Sequence, residues 1–197
     1  MNHVERILDI AQALEPLADV PRTGWLLRGV RPPESVADHS HGVATVAMLL
    51  VDALRDEGHT IDGERVLRMA LIHDCTEAQT GDIPLPSKTA GFARALHEME
   101  AVVAKELLGS SLHALWLEAE ARDTLEARIV KAADKLQMMI KVLRYERAGV
   151  RSLEEFWLNP RNFLGHGLPI ADQVFDAICE RAGRRRPHNE RERSGTR

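Results

Sequence analysis

The residues of this sequence that are best suited to chemistry are an adjacent histidine and aspartate, His73 and Asp74, at the end of an apolar helical pattern. His73 follows Val66 and Ala70 at helical spacing, which predicts that its side chain faces the core. Burying an aspartate beside a histidine is costly unless a positive charge lies between them, and a metal ion would supply that charge. For this pair alone, a solvent-exposed aspartate beside a hydrogen-bonded core histidine remains the alternative.

Two further residues that can bind metals lie on apolar stripes of other predicted helices. His39 lies on the buried stripe of its helix, whereas His41 points to the polar face. Asp134 shares a stripe with Val130 and Met138 in the middle of a predicted helix, where an aspartate has poor helix propensity and a high cost of burial. It therefore needs a partner, and an internal ion pair with a lysine or arginine is the alternative to a metal. Two imidazoles and two carboxylates suit a divalent transition metal, with positions left for water and substrate.

Composition limits the classes of protein to which this chain can belong. A length of 197 residues with 44% hydrophobic and 28% charged residues predicts one soluble domain with a substantial core. The apolar runs are too short to span a bilayer, and the first residues do not resemble a signal peptide. Cys75 and Cys179 are too few for a framework of disulfides and fit a reducing cytosol. We therefore expect a cytoplasmic protein with no membrane partner.

The charge of the chain is unevenly distributed. The net charge is -4, yet residues 184–197 contain six Arg against two Glu, so residues 1–183 carry the acidic excess. The low apolar content of this Arg-rich tail predicts that residues 184–197 are disordered and follow a single domain at residues 1–183. A basic tail can contact nucleic acid, but this one is short and the folded body is acidic. We therefore expect no nucleic-acid partner.

Helical periodicity runs through nearly the whole chain, and no alternating strand pattern of useful length accompanies it. Ile7, Ile10 and Leu14 predict a first amphipathic helix, and Ser35 with Asp38 predicts a capping box that starts the next one, to about residue 57. Further helices are predicted from Asp62 through the His73–Asp74 pair, at 90–108, at 112–121, from Asp123 to Arg147, at 152–158 and at 168–182. Gly-rich phosphate loops and internal repeats are absent from the sequence. The predicted fold class is all-α.

Several segments, taken in order, resemble the HD-domain metal-dependent phosphohydrolases. They are Arg22-Thr23-Gly24-Trp25, Arg31 to Ser40, His73-Asp74-Cys75-Thr76-Glu77, Thr80-Gly81-Asp82-Ile83-Pro84 and Lys131-Ala132-Ala133-Asp134-Lys135. The Glu-Ser-Val-x-x-His and Gly-Asp-Ile-Pro pieces are similar to the branch that includes the 5′-deoxynucleotidases, and the likeness covers roughly Ile7 to Ile178. The resemblance implies a single helical HD domain that holds one divalent transition metal (Mn, Co, Fe or Ni). The ligands it implies are His39, His73, Asp74 and Asp134.

The resemblance also implies an activity, the hydrolysis of (2′-deoxy)ribonucleoside 5′-monophosphates to release phosphate. A small-molecule nucleotide would then be the substrate. Glu77 lies four residues after His73 and three after Asp74, so one helical turn places it beside the metal. That position suits a general acid for the 5′ leaving oxygen or a general base for the attacking water. A solvent-exposed glutamate at a helix end is the alternative.

Three residues are candidates for substrate contacts in this resemblance. Arg22 offers a guanidinium whose geometry matches phosphate, although Arg28 and Arg31 are alternatives for the same role. Trp25 would give a flat wall for the sugar or base. Asp82 would hold a sugar hydroxyl or order the side chain of Glu77.

Other activities share parts of this pattern. An HD phosphohydrolase acting on another nucleotide, such as a dNTP or a cyclic nucleotide, would use the same metal site, because the pocket decides the substrate. A di-iron oxygenase would need further histidines, and His97 and His113 are the ones available between His73 and Asp134. A non-catalytic metal-binding module would not need Glu77. Relatives in this branch form dimers, so the resemblance also implies a homodimer.

Overall fold

The chain folds into α helices joined by short loops and 3-10 turns. The structure is a computed structural model that describes residues 2–84 and 89–187. Its helices are α1 (His3–Leu14), α2 (Thr23–Leu26), α3 (Val36–Asp56), α4 (Gly63–Ile72), α5 (Glu77–Thr80), α6 (Ala90–Ala121), α7 (Leu125–Arg147), α8 (Glu154–Leu158) and α9 (Pro169–Arg181). Short 3-10 helices occupy Glu15–Ala18 and Pro160–Phe163. No strand occurs in the described ranges, so the predicted all-α fold class is confirmed.

Helices α3 and α7 form the centre of the fold. α3 packs against both α7 and α4, and the core between them contains the fully buried Val43, Ala47 and Leu136. Gly42 permits the closest approach, because a Cβ atom at that position would lie 2.8 Å from Cγ of Gln137 on α7. The two helices are therefore in direct contact one turn beyond His39, which brings His39 opposite α7.

Side-chain caps define where these central helices begin. Ser35 and Asp38 form the predicted capping box at the start of α3, each accepting a hydrogen bond from the backbone N–H of the other. Asp62 caps α4 as predicted, accepting from the backbone N–H of Arg65. The cap of α7 differs from the prediction, because Thr124 rather than Asp123 accepts a hydrogen bond from the first turn. The start of α7 therefore lies close to the predicted position, with a neighbouring residue as its cap.

Helix α6 contains an interruption that the sequence analysis anticipated. Gly109 has φ +62° and ψ 173°, which lies outside helical geometry and in a region that favours glycine. The helical segments on its two sides correspond to the separate helices predicted at 90–108 and 112–121. The interruption redirects the chain without a loop.

The first helix departs from the burial that its pattern suggested. α1 forms as predicted, but none of its residues is buried, and Val4 and Ile7 are 72% and 70% exposed. Leu17, in the following 3-10 helix, is the residue of this segment that enters the core. Ile10 and Leu14 of the predicted stripe are half-buried, with Leu14 packed against the core, whereas Val4, Ile7 and Leu8 lie on the surface of the single chain.

The beginning of the Arg-rich tail lies against the domain. Arg184 pairs with Glu146 and Glu154, and Arg186 pairs with Asp172 on α9. Residues 184–187 therefore differ from the predicted disordered tail, and the predicted boundary at residue 183 falls inside the packed chain. The rest of the predicted tail, 188–197, lies outside the described residues. In the part of the chain that the structure describes, the helices are all too short or too polar to traverse a bilayer.

Candidate metal centre and substrate pocket

His39, His73 and Asp74 meet at one point between α3 and the end of α4. One potential ligand atom from each of the three lies within 4.8 Å of the others. Asp74 Oδ2 is 3.6 Å from His39 Nε2 and 3.3 Å from His73 Nε2. Because α4 ends at Ile72, His73 and Asp74 lie in a turn, and both can reach the same point although they are adjacent in sequence.

Asp134 approaches this cluster from α7. Its Oδ1 atom is 3.4 Å from His39 Nε2, while its Oδ2 atom is 3.2 Å from Lys131 Nζ and 3.5 Å from Lys135 Nζ. The internal ion pair considered from the sequence is therefore present at Oδ2, whereas Oδ1 faces the imidazole of His39. The lysines engage Oδ2, and Oδ1 remains directed at the histidine.

Hydrogen bonds on the far side of each imidazole indicate which ring nitrogen carries the proton. His39 Nδ1 lies 2.7 Å from Gln137 Oε1, and His73 Nδ1 lies 2.8 Å from the carbonyl oxygen of Ala70. Both of these oxygens accept hydrogen bonds and cannot donate them, so Nδ1 is the donor in each pair. In the neutral ring, Nε2 then has a lone pair available for a metal.

The two Nε2 atoms are the polar atoms that a metal would satisfy. Both are buried, and neither makes a hydrogen bond to any residue that the structure describes. Each instead faces carboxylate oxygens at 3.3 to 3.6 Å. Lone pairs of a neutral imidazole and of carboxylates repel one another in a buried site unless a cation lies between them. The nitrogen and oxygen donors therefore fit a divalent transition metal.

The carboxylates of the cluster are held in their anionic form. Burial alone would raise the pKa of Asp74, but the positive charges of a protonated His73 and of Arg22 hold it well below its ordinary value, and Asp74 in turn raises the pKa of His73. A metal bound at His73 Nε2 would take the place of that proton. Burial would likewise raise the pKa of Asp134, and Lys135 and Lys131 outweigh that effect and lower it. Ionised carboxylates are the form that binds a cation.

Glu77 opens α5, one turn after the His73–Asp74 pair. Its backbone N–H donates to the carbonyl oxygen of Asp74, and its side chain is largely buried beside the cluster. Glu77 Oε2 lies 3.7 Å from Arg22 Nη1. The predicted placement of Glu77 beside the His73–Asp74 pair is therefore reproduced in the geometry.

Arg22 and Asp82 form a connected pair at the edge of the cluster. Arg22 Nη1 donates to Asp74 Oδ2 at 3.3 Å and to Asp82 Oδ1 at 3.2 Å. Asp82 Oδ2 also accepts from the backbone N–H of Thr23 at 2.6 Å. Burial lowers the pKa of Arg22, but Asp74, Asp82 and Glu77 more than compensate and raise it above its ordinary value, so the guanidinium is charged. Asp82 thus contacts Arg22 and the start of α2, and its predicted contact with a sugar hydroxyl or with Glu77 stays a prediction.

Asp74 and Asp134 line a pocket of about 300 Å³, whereas His39 and His73 are not among its described lining residues. Its described lining residues are Arg22, Gly24, Trp25, Arg28, Asp74, Glu77, Asp82, Ile83, Pro84, Lys131, Asp134, Lys135, Met138, Glu155, Phe156, Asn159 and Asn162. The pocket therefore brings together the predicted residues Arg22, Trp25, Glu77 and Asp82. The wall from 155 to 162 was not predicted, because its residues carry no spacing that distinguishes them from an ordinary loop.

Trp25 serves the core and the pocket at once. It is 3% exposed, and its indole N–H donates to Glu34 Oε1 at 2.8 Å. Its ring stacks on Phe156 with centroids 4.8 Å apart and meets the edge of Tyr145 at 5.3 Å. Trp25 lines the pocket and is held rigidly by these neighbours, and its contact with a sugar or base stays a prediction.

The all-α domain brings two histidines and two carboxylates together beside a pocket lined by acidic and basic side chains, an arrangement that suits a metal-dependent hydrolase. Residues 14–164 match the HD domain family, and the chain belongs to that family. It is a hydrolase of the metal-dependent phosphohydrolase type, as the resemblance in the sequence implied. The family implies a divalent metal, for which His39, His73 and Asp74 are a fitting site.

Two named relatives and two solved structures show how far the similarity extends. The chain is 32% identical to 5′-deoxynucleotidase HDDC2 of Xenopus laevis, covering 88% of this chain and 86% of the relative. It is 33% identical to 5′-deoxynucleotidase hdd1 of Schizosaccharomyces pombe, and the alignment covers 76% of this chain and 78% of that relative. A conserved hypothetical protein of Pyrococcus furiosus superimposes with a TM-score of 0.75 at 37% identity, covering 89% and 99%. The PH0347 protein of Pyrococcus horikoshii also superimposes with a TM-score of 0.75. It is 34% identical, and the superposition covers 91% of this chain and 98% of that protein.

Proposed function

We propose that this chain is a 5′-deoxynucleotidase, which releases inorganic phosphate from 2′-deoxyribonucleoside 5′-monophosphates. Relatives that are named 5′-deoxynucleotidases and align with most of the chain support this substrate class. The observation that carries the proposal is that the His39–His73–Asp74 cluster adjoins, through Asp74, a pocket that Glu77 and Arg22 also line. A phosphate dianion needs positive charge, an activated nucleophile and a proton donor, and this pocket has a candidate for each.

The proposed metal ligands are His39, His73, Asp74 and Asp134. Their donor types accept Mn, Co, Fe or Ni, and we propose one such ion per chain. When bound, the ion would polarise a phosphoryl oxygen and lower the pKa of a water molecule. The protein contributes two oriented imidazoles, held through Nδ1, and two anionic carboxylates, held by neighbouring cations.

Glu77 is the proposed proton-transfer residue. It lies beside Asp74 in the pocket but outside the proposed ligand set, so its carboxyl group can exchange a proton with the substrate. We propose that Glu77 gives a proton to the 5′ oxygen as it leaves or takes one from the attacking water. A residue in this position contributes typically about 10²–10⁴-fold to the rate.

Arg22 is the proposed phosphate-binding arginine. Arg28 also lines the pocket, but its ion-pair partner is Glu155, which is not part of the candidate metal cluster. Arg31 is exposed and is not among the described lining residues. Arg22, in contrast, projects its charged Nη1 into the group formed by Asp74, Glu77 and Asp82. A bound phosphate would lie next to the proposed metal and take part of the contacts of this guanidinium.

A panel of nucleotides tests the proposed substrate. Nucleoside and nucleotide products formed from dAMP, AMP, 2′-deoxyadenosine 3′-monophosphate, dATP and cyclic AMP would be separated by chromatography, with chelator-treated protein supplied with Mn²⁺, Co²⁺, Fe²⁺ or Ni²⁺. Inorganic phosphate would be measured alongside, because opening of cyclic AMP or removal of the whole triphosphate from dATP releases none. We expect dAMP to give the highest kcat/KM, and we expect much lower values of kcat/KM for AMP and for 2′-deoxyadenosine 3′-monophosphate. Faster turnover of dATP or cyclic AMP would assign the chain to a different nucleotide substrate. Equal values for dAMP and AMP would make it a general 5′-nucleotidase.

Trp25 is the proposed basis of the preference for deoxyribose. A rigid wall beside the sugar excludes a 2′-hydroxyl by contact and by leaving it unpaired, which is worth about 1–3 kcal/mol or roughly 5- to 150-fold. Trp25→Ala is a poor test, because emptying a buried tryptophan site costs about 3–5 kcal/mol of stability. We expect Trp25→Phe, which keeps a ring against Phe156, to lower the ratio of kcat/KM for dAMP over AMP. An unchanged ratio in a folded Trp25→Phe protein would contradict this role.

We further propose a cytoplasmic homodimer. Two buried cysteines without a disulfide between them fit a reducing compartment. The exposed apolar side of α1, with Val4, Ile7 and Leu8, is a candidate for the subunit contact. Light scattering coupled to size exclusion should give twice the 22.0 kDa mass of one chain. A monomer at micromolar concentration would contradict the dimer.

A further inference from the structure

A buried series of hydrogen bonds connects the wall of the pocket to the candidate metal centre. Glu34 Oε1 accepts from Trp25 Nε1 at 2.8 Å, and Glu34 Oε2 accepts from Gln137 Nε2 at 3.0 Å. Gln137 Oε1 then lies 2.7 Å from His39 Nδ1. The four side chains are all buried, and neither Glu34 nor Gln137 is among the described residues that line the pocket. Any effect of Glu34 and Gln137 on the pocket or the metal centre is therefore exerted through Trp25 and His39.

The direction of this series is determined at Glu34. Lys141 Nζ lies 2.7 Å from Glu34 Oε2 and supplies the positive partner that a buried carboxylate requires. Because a carboxylate paired in this way accepts hydrogen bonds, the amide nitrogen of Gln137 must face Glu34 and the amide oxygen must face His39. An amide oxygen in turn accepts, so His39 must donate from Nδ1. The Nε2 atom of the neutral ring is then left without a proton.

Close packing confines the side chain of Gln137, and its two hydrogen bonds determine which way its amide faces. A Cβ atom at Gly42 would lie 2.8 Å from Gln137 Cγ and 3.0 Å from its Nε2. Gly42 is on α3, one turn beyond His39, so the backbone of α3 passes directly over the amide. A flipped amide would also place its oxygen against the carboxylate of Glu34.

We infer that Gln137, oriented by Glu34, is a positioning residue that holds the His39 ring with Nε2 directed at the metal. The inference rests on the proposed function in one respect, because it takes His39 as a ligand. Residues that hold a ligating histidine through its second nitrogen typically change metal affinity or activity by about 10- to 100-fold when they are replaced. Since Glu34 also holds the indole of Trp25, one carboxylate orients both the pocket wall and the metal ligand.

Gln137→Met tests this role, because methionine keeps the length of the side chain and removes both hydrogen bonds. The Kd for Co²⁺ would be measured on the metal-free full chain by competition with a chromophoric chelator. We expect Gln137→Met to raise this Kd by roughly 10- to 100-fold. Ser40→Ala is the matched control: it lies next to His39, and its buried hydroxyl has no hydrogen-bond partner among the described residues. We expect the Kd of the Ser40→Ala protein for Co²⁺ to equal that of the wild type.

Glu34→Gln provides a second variant with a distinct outcome. An amide at this position offers one acceptor oxygen to three donors, which are Trp25 Nε1, Gln137 Nε2 and Lys141 Nζ. We expect a higher Kd for Co²⁺, as in Gln137→Met, together with a higher KM for dAMP, because Trp25 is also released. A change confined to thermal stability, with wild-type Kd and KM, would reduce Glu34 to a core residue.

The proton on His39 gives a measurement that packing alone would not change. In the Zn²⁺-loaded wild type with ¹⁵N-labelled histidine, NMR should show a slowly exchanging, hydrogen-bonded Nδ1 proton that is lost in Gln137→Met. Wild-type affinity and an unchanged Nδ1 proton in that variant would overturn the inference and leave the proposed function standing. If Gln137→Met does not fold, the wild-type spectrum still tests the inference. A His39 proton on Nε2, with none on Nδ1, would overturn it. Co²⁺ binding that His39→Ala leaves unchanged would instead reject the proposed metal site itself.

Discussion

Asp134→Ala is expected to reduce phosphate release to the metal-free background and to deprive the purified protein of its metal. Asp134 Oδ1 lies 3.4 Å from His39 Nε2, and the neighbouring lysines lower its pKa so that it stays anionic. Its removal takes away one anionic ligand. It also leaves Lys131 and Lys135 facing the cluster without the carboxylate between them, which raises the positive potential where the cation would bind.

Metal content by elemental analysis and phosphate release from dAMP would be measured on the same preparation of Asp134→Ala. Helical content by circular dichroism should change little, because Asp134 is one residue of a long helix. Asp176→Ala is the matched control. It removes an aspartate of α9 that is ion-paired with Arg186, and it should keep metal and activity. Full metal occupancy in Asp134→Ala would assign Asp134 to its lysine ion pairs alone.

Glu77→Gln is expected to lower kcat by about 10²–10⁴-fold, the usual contribution of a positioned acid or base. Glutamine has the same shape and keeps the start of α5, but it cannot exchange a proton with the 5′ oxygen or the attacking water. Metal content should remain that of the wild type, because Glu77 lies outside the proposed ligand set. The value of kcat at saturating dAMP would be compared with metal content on the same protein.

Glu155→Gln is the matched control for Glu77→Gln. Glu155 also lines the pocket, but its side chain is 56% exposed and pairs with Arg28. We expect its kcat to stay within a few-fold of the wild type, as is usual for an exposed ion pair. If Glu77→Gln lost its metal together with its activity, Glu77 would be a ligand and its proposed role in proton transfer would be wrong.

The helical architecture could be predicted because its signals are local. The Ser35–Asp38 capping box and the interruption at Gly109 are each determined by a few neighbouring residues, and both occur where the sequence placed them. Helical periodicity also separated the buried His39 from the exposed His41. The burial of α1 could not be inferred in the same way, because an amphipathic pattern predicts an apolar face without saying what covers it.

The parts of the site that depend on distant segments were not accessible from the sequence. Gln137 and Glu34 are far apart in the chain, and their hydrogen bond exists because α3 and α7 pack closely at Gly42. The pocket wall around Phe156 comes from α8 and the following turn, which carry no motif of their own. In hindsight, one signal was available: Gln137 lies three residues after Asp134 and thus on the same side of α7, among apolar neighbours.

Titration of the metal-free protein with Co²⁺, while phosphate release from dAMP is recorded, tests the central claim most directly. The claim is that one metal, bound at the His39–His73–Asp74–Asp134 cluster, is required for hydrolysis of a deoxynucleoside 5′-monophosphate. We predict no release without metal, then a linear rise that saturates at one equivalent of Co²⁺ per chain. Phosphate release that is undiminished in the metal-free protein, or that is absent at every metal concentration, would contradict the claim.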